Sequence, residues 1–166
     1  MKKLIFLLCF LFFLSGCTSA EKISEITASV LLPPEAVAPY LDYTPEITEK
    51  NTRRYSITEY FSNPKGKNDP VIVKVFQVNE LLSEEDIIND FNECKDLRSD
   101  AFNIDGMNVE CFVAYPSIHY YTGGYHVQIT AGSGSDNNQK ILLMNLAKIS
   151  LENLDKYKGV LTTTEE

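Results

Sequence analysis

Apolar residues recur at helical spacing in two segments of the chain. The first predicted helix begins at Ser83, because Asp86 stands three residues later, as the acid of a capping box. The second has about twenty residues and ends at Lys158, with Gly159 as its C-cap. Each helix is therefore expected to bury one apolar stripe. The first stripe comprises Ile87, Ile88, Phe91 and Cys94, and the second Leu143, Leu146, Ala147, Ser150, Leu154 and Tyr157.

Strand-forming residues fill much of the remaining sequence and are separated by turn signals. Residues 53–61 and 71–78 flank the turn-forming octet 63–70 and are predicted to pair as a hairpin. The dipeptide Asp105-Gly106 indicates a second hairpin. Its predicted register pairs Ile104 with Met107 and Phe102 with Val109, and Cys111 continues the same face.

A third hairpin is predicted around Gly123-Gly124. Its register pairs Tyr121 with His126 and His119 with Gln128. Because side chains alternate between the two faces of a strand, this hairpin has one apolar and one polar face. The apolar face is expected to join the core and comprises Ile118, Tyr120, Tyr125, Val127, Ile129 and Ala131. The polar face is expected to meet solvent and comprises Ser117, His119, Tyr121, His126, Gln128 and Thr130.

These elements predict an α+β fold. We expect an antiparallel sheet of about five strands built from hairpins, with two helices packed on one face. Four segments are predicted along the chain: a leader over residues 1–16, a tether over 17–30, a single domain over 31–160 and a loose acidic tail over 161–166.

The leader carries the most specific motif in the sequence. Met1–Lys3 is positively charged, and Leu4–Leu14 is an apolar run too short to span a bilayer as a helix. The motif Leu14-Ser15-Gly16-Cys17 follows directly. This N-terminal region resembles the signal of prokaryotic lipoproteins, in which the cysteine of the lipobox is acylated and becomes the first residue of the mature protein.

The resemblance implies that acyl chains on Cys17 hold the protein on the outer side of the cell membrane. Thr18 follows this cysteine, where an Asp would be the inner-membrane retention signal. The resemblance therefore implies sorting to the outer membrane if the host has one. No motif in residues 40–160 identifies a family for the mature domain.

The net charge limits the classes of partner. The whole chain has a formal charge of −8, and removal of Lys2 and Lys3 with the leader brings the mature chain to −10. An acidic surface argues against binding to nucleic acid and to anionic lipid through protein charge. Membrane attachment is therefore expected from the acyl chains alone, and an envelope protein or a carbohydrate is the expected partner.

The polar face of the third hairpin is the candidate binding face, with His119, Tyr121, His126 and Gln128 at its centre. Tyrosine combines a rigid apolar ring with a polar tip, which suits contact with carbohydrate or protein. His119 and His126 are diagonal neighbours on this face and come within plausible reach of one metal ion. No cysteine or carboxylate joins them within the same hairpin, so no metal site and no cofactor is predicted.

Two cysteines remain in the mature chain besides Cys17. Cys94 and Cys111 both fall on predicted core faces, and an exported compartment favours oxidation. We expect a disulfide between them, and the alternative is a pair of buried free thiols that act as small hydrophobes.

The sequence contains no assembled set of catalytic residues. The leading hypothesis is a non-enzymatic binding or envelope-interaction module, anchored by lipid outside the cytoplasm. The alternative is a metal-binding or metal-dependent protein that uses His119 and His126.

Overall fold

The computed structural model describes residues 26–41, 45–61 and 70–163. The predicted leader, Cys17 and most of the predicted tether lie outside the described residues, as do nearly all of the turn octet 63–70 and residues 164–166. Among the described helices, none is long and apolar enough to cross a membrane.

A seven-stranded antiparallel sheet forms the centre of the domain, with the strand order β1-β2-β3-β7-β6-β5-β4. The predicted α+β class and the antiparallel sheet are confirmed, with seven strands in place of about five. The strands are β1 Glu46–Asn51, β2 Tyr55–Phe61, β3 Val71–Gln77, β4 Phe102–Asn103, β5 Glu110–Ala114, β6 Ser117–Thr122 and β7 Tyr125–Thr130. Every residue of β1 is exposed, so this strand has no apolar alternation from which it could be predicted.

Within the described ranges, four α-helices accompany the sheet: α1 Ala28–Leu31, α2 Pro34–Val37, α3 Glu84–Asp96 and α4 Asn137–Thr163. A short 3-10 helix, Ala38–Tyr40, follows α2. The prediction that the two long helices share one face of the sheet is wrong. Helix α4 contacts β6, β7 and α1 over the main core, whereas α3 contacts β3, β6 and β7 from the opposite side.

Helix α3 packs on the face of the sheet opposite α4. This second face is apolar because both sides of strand β5 carry apolar side chains. Cys111 and Val113 point into the main core, which α4 covers. Phe112 and Ala114 alternate with them and pack with Phe91 of α3. A strand that is buried on both faces requires a layer on each side, and the domain is therefore a three-layer structure.

The register of the Gly123-Gly124 hairpin is confirmed. Tyr121 pairs with His126 and His119 with Gln128 across β6 and β7. The register predicted for the Asp105-Gly106 hairpin is wrong, since Phe102 pairs with Val113 and not with Val109. Residues 104–109 form a longer connection, because regular pairing resumes only where the apolar run of β5 begins.

The main core confirms the predicted stripe of α4. Leu143, Leu146, Ala147 and Leu154 are fully buried, as are the apolar residues of β6 and β7 that face them. Ser150 is buried in the same stripe, and its Oγ lies 2.7 Å from the hydroxyl oxygen of Tyr120. The helix does not end at Lys158 with Gly159 as its C-cap, as predicted, but continues to Thr163.

The domain begins earlier than the predicted boundary at residue 31. The backbone N–H of Ile26 donates to Gln77 Oε1 at 2.9 Å, and Gln77 Nε2 donates back to the Ile26 carbonyl at 3.3 Å. The N–H of Ala28 donates to Ser56 Oγ at 2.9 Å. The segment that contains the buried residues Ile26 and Ala28 is therefore packed on the domain, because side chains of β2 and β3 satisfy backbone groups that no strand partner reaches.

The predicted start of α3 is confirmed by its hydrogen bonds. Ser83 Oγ accepts from the Asp86 N–H, and the Asp86 carboxylate accepts from the Ser83 N–H at 2.8 Å, which completes a capping box. Ile87 and Phe91 are buried, whereas Ile88 is 37% exposed and does not belong to the buried stripe. The helix thus rests on a narrow face that ends with Cys94.

Candidate metal centre

The sheet surface beneath α3 consists mainly of rings. The imidazole of His119 stacks on Phe112, with centroids 4.6 Å apart and an interplanar angle of 8°. The imidazole of His126 stacks on Phe76 at 5.3 Å and meets the edge of Phe91 at the same distance. These contacts hold both histidine rings in one orientation each.

Both histidines are buried, so the prediction that this face meets solvent is wrong. His119 is 5% exposed and His126 is fully covered. The cause is helix α3, which covers this face and was predicted to pack on the other one. The part of the candidate binding face that holds the two imidazoles is therefore an interior layer between the sheet and α3, whereas Tyr121 and Gln128 are only partly buried.

The two histidines contact each other directly. Nδ1 of His119 and Nε2 of His126 are 3.1 Å apart, so one nitrogen donates a hydrogen bond to the other. Their predicted diagonal relationship across β6 and β7 is what brings the rings together. Two nitrogens at this separation can share one proton, and by the same geometry they can share one metal ion.

Cys94 of helix α3 completes the cluster. One ligand atom from each of Cys94, His119 and His126 lies within 4.8 Å of the other two. In the part of the chain that the structure describes, this is the one group of three or more metal-ligating side chains. Cys94 is not among the ligands predicted from the sequence, because it is paired there with Cys111 in a disulfide.

The predicted disulfide between Cys94 and Cys111 is not formed. Both cysteines are free, and they lie on opposite sides of the sheet. Cys111 packs in the main core with Val113, whereas Cys94 packs with Phe91 and Phe112 beneath α3. Because the β5 backbone separates them, placing α3 on the second face rules out the bridge in this fold.

Asp90 supports the cluster from one helical turn before Cys94. Its Oδ2 is 2.7 Å from Nδ1 of His126, and 39% of its side chain is exposed. With Nδ1 donating to the carboxylate, the lone pair of His126 lies on Nε2, which faces His119. An imidazole held in this way by a carboxylate is the usual arrangement of a metal-bound histidine.

Burial sets the protonation of the cluster. Desolvation lowers the pKa of His119 to about 3, and the interaction with neighbouring His126 lowers it further. Desolvation also raises the pKa of the Cys94 thiol, and Asp90 adds to this effect. The site therefore holds His119 as a neutral imidazole and Cys94 as a thiol at neutral pH, and a metal ion would displace the thiol proton.

The donor set fits a thiophilic transition metal. Zinc is bound by cysteine sulfur at about 2.3 Å and by histidine nitrogen at about 2.0–2.1 Å, so two nitrogens of a tetrahedral site lie about 3.3 Å apart. The observed separation of 3.1 Å between the imidazole nitrogens is close to that value. One thiolate with two imidazoles suits zinc or copper, and it does not suit magnesium or calcium, which prefer oxygen.

The other two residues of the candidate binding face have different partners. The Tyr121 hydroxyl donates to Glu84 at 2.7 Å and so fastens the first turn of α3 to the sheet. Nε2 of Gln128 reaches Ser117 Oγ at 3.5 Å, and Ser117 Oγ lies 2.7 Å from Thr130 Oγ1. The structure thus joins His119 and His126 in one site and leaves Tyr121 and Gln128 in contacts of their own.

Comparison with known proteins gives no family for this chain: no family model, no curated protein and no solved structure matches it.

Proposed function

We propose that this protein is a lipid-anchored, extracytoplasmic domain that binds a zinc or copper ion through Cys94, His119 and His126. The single observation that carries the proposal is the convergence of these three side chains, from α3, β6 and β7, beneath a helix. Helix α3 supplies one soft donor and the β6–β7 hairpin, which is distant from it in sequence, supplies two imidazoles to the same point.

The free-energy cost of burying both histidines supports a functional role for them. Burying two imidazoles is unfavourable compared with burying aliphatic side chains of similar volume. The main core on the other side of the sheet uses aliphatic residues at the equivalent positions of β6 and β7, such as Ile118 and Val127. A metal ion would provide the interactions that make His119 and His126 favourable where they are.

The depth of the site favours binding over catalysis. With His126 fully covered and His119 5% exposed, an organic substrate would not reach the ligands without movement of α3. An ion needs only a narrow path. The proposed activity is therefore retention or sensing of a metal ion, consistent with a non-enzymatic module.

The location is part of the proposal and rests on the lipobox at Leu14-Ser15-Gly16-Cys17. Acylation of Cys17 would place the domain at the outer surface of the cell membrane, or at the outer membrane of a host that has two. The folded core extends back to Ile26, nine residues after Cys17. At about 3.5 Å per extended residue, the domain would remain within about 30 Å of its anchor.

Metal titration of protein purified without a polyhistidine tag tests the proposal. We expect one equivalent of Zn²⁺ per chain in the wild type, and at least about a tenfold loss of affinity in Cys94→Ser and in His126→Ala. Cys111→Ser is the matched control, because it removes a thiol on the other side of the sheet and should bind as the wild type does. The proposal fails if the wild type binds neither Zn²⁺ nor copper, or if Cys94→Ser binds as tightly as Cys111→Ser.

A further inference from the structure

Among the residues that the structure describes, Asp90 is the charged side chain that contacts a proposed ligand. Its carboxylate meets His126 at 2.7 Å, and this ring is fully buried while the carboxylate is partly solvated. Other charges act on the cluster through space: Lys74, whose Nζ lies over the rings of Tyr55 and Phe76, Glu93 beside Cys94, and Arg98, which forms a two-bond pair with Asp100. Glu84 accepts from Tyr121.

We infer that Asp90 makes the site selective for a divalent over a monovalent metal ion, a conclusion that rests on the proposed function. A bound ion would face one negative charge on the Cys94 thiolate and a second on Asp90, transmitted through His126. The two positive charges of a divalent ion balance these two negative charges. A monovalent ion such as Cu⁺ leaves one negative charge in excess in a largely dehydrated layer, where uncompensated charge is costly.

The same contact gives Asp90 a positioning role. The carboxylate accepts a hydrogen bond from Nδ1–H of His126. This bond fixes the tautomer in which the Nε2 lone pair is available to bind the metal. An asparagine at this position can still accept through its Oδ1, so it preserves the hydrogen bond and removes only the charge. This isosteric change separates the electrostatic role of Asp90 from its positioning role.

Competition titrations with Zn²⁺ and with Cu⁺ test the inference on the wild type, Asp90→Asn, Asp90→Glu and Asp96→Asn. For Asp90→Asn we expect Zn²⁺ affinity to fall about 10- to 100-fold, with Cu⁺ affinity unchanged within about threefold. Asp90→Glu keeps the charge and should keep the wild-type ratio of the two affinities. Asp96→Asn, a neutralised and exposed acid on the same helix, should change neither affinity.

An equal loss of affinity for Zn²⁺ and Cu⁺ in Asp90→Asn would overturn the charge argument. So would a change in the ratio of the two affinities in Asp90→Glu that is as large as the change in Asp90→Asn. Asp90→Ser removes the same charge with a smaller side chain and supplies the comparison if the asparagine variant does not fold. A wild type that binds neither ion would instead refute the proposed function, so the two failures are distinguishable.

Discussion

The carboxylate of Asp90 and the imidazole of His126 lie 2.7 Å apart, and this contact joins helix α3 to strand β7. Cys94 lies one helical turn further along α3, directed to the same layer. The helix therefore carries both a proposed ligand and the residue that orients another ligand. Metal binding and the docking of α3 are coupled in this arrangement, because a complete donor set exists only while the helix is docked.

Hydrogen exchange should reveal this coupling. We expect Zn²⁺ to slow the exchange of backbone amides in α3, residues 84–96, because the ion links the helix to β6 and β7. Amides of α4 on the opposite side of the sheet should change far less. In Cys94→Ser the selective protection of α3 should disappear, whereas equal protection of both helices by Zn²⁺ would contradict the coupling.

The two thiols should be free and should differ in reactivity. After unfolding without reductant, both Cys94 and Cys111 should react with a thiol reagent, since both are free in the structure. In the folded protein Cys94, which is half-buried, should react faster than Cys111, which is 4% exposed. Zn²⁺ should protect Cys94 in particular. Mass spectrometry of alkylated peptides measures each site, and a peptide pair linked through both cysteines would refute the assignment.

Cys111 should also make stability fall at alkaline pH. Burial raises the pKa of its thiol from 9.0 to about 12, so the folded state keeps a proton that the unfolded state loses. This contribution is complete below about pH 9, and between pH 9 and 12 it decreases by about 1.4 kcal/mol per unit. Cys111→Ala should show a shallower decline in the free energy of unfolding over this window. Parallel curves for the two proteins would contradict this account.

The hydroxyl groups of Tyr120 and Ser150 should contribute to the free energy of unfolding as a coupled pair. Ser150→Ala leaves a buried phenol hydroxyl without its partner and should cost about 1–3 kcal/mol. Adding Tyr120→Phe removes the stranded hydroxyl, so the double variant should recover part of that loss. Urea unfolding of the four proteins in the cycle measures the coupling, and strictly additive effects would show that the two hydroxyls do not interact.

Much of the main core could be predicted because its signals are local. The Gly123-Gly124 turn determines the pairing of Tyr121 with His126, and alternation then assigns Tyr120 and Val127 to the core. The stripe of α4 follows from helical periodicity in the same way. For the hairpin and for α4, a short stretch of sequence is enough to determine which residues face the core.

The side of the sheet on which a helix packs is not a local property, and this is where prediction failed. Periodicity predicts that α3 turns Phe91 and Cys94 toward the sheet, but it does not predict which face of the sheet receives them. The signal that could have decided it is strand β5, where Cys111-Phe112-Val113-Ala114 has no polar alternation and so needs cover on both sides. With α3 on the second face, Cys94 moves from a disulfide with Cys111 to a cluster with His119 and His126.

X-ray absorption spectroscopy of the zinc-loaded protein tests the central claim most directly, because it reports the donor atoms around the ion. The account predicts one sulfur at about 2.3 Å and at least two imidazole nitrogens at about 2.0 Å, with the sulfur absent in Cys94→Ser. A wild-type spectrum without sulfur, or one that is unchanged in Cys94→Ser, would contradict it.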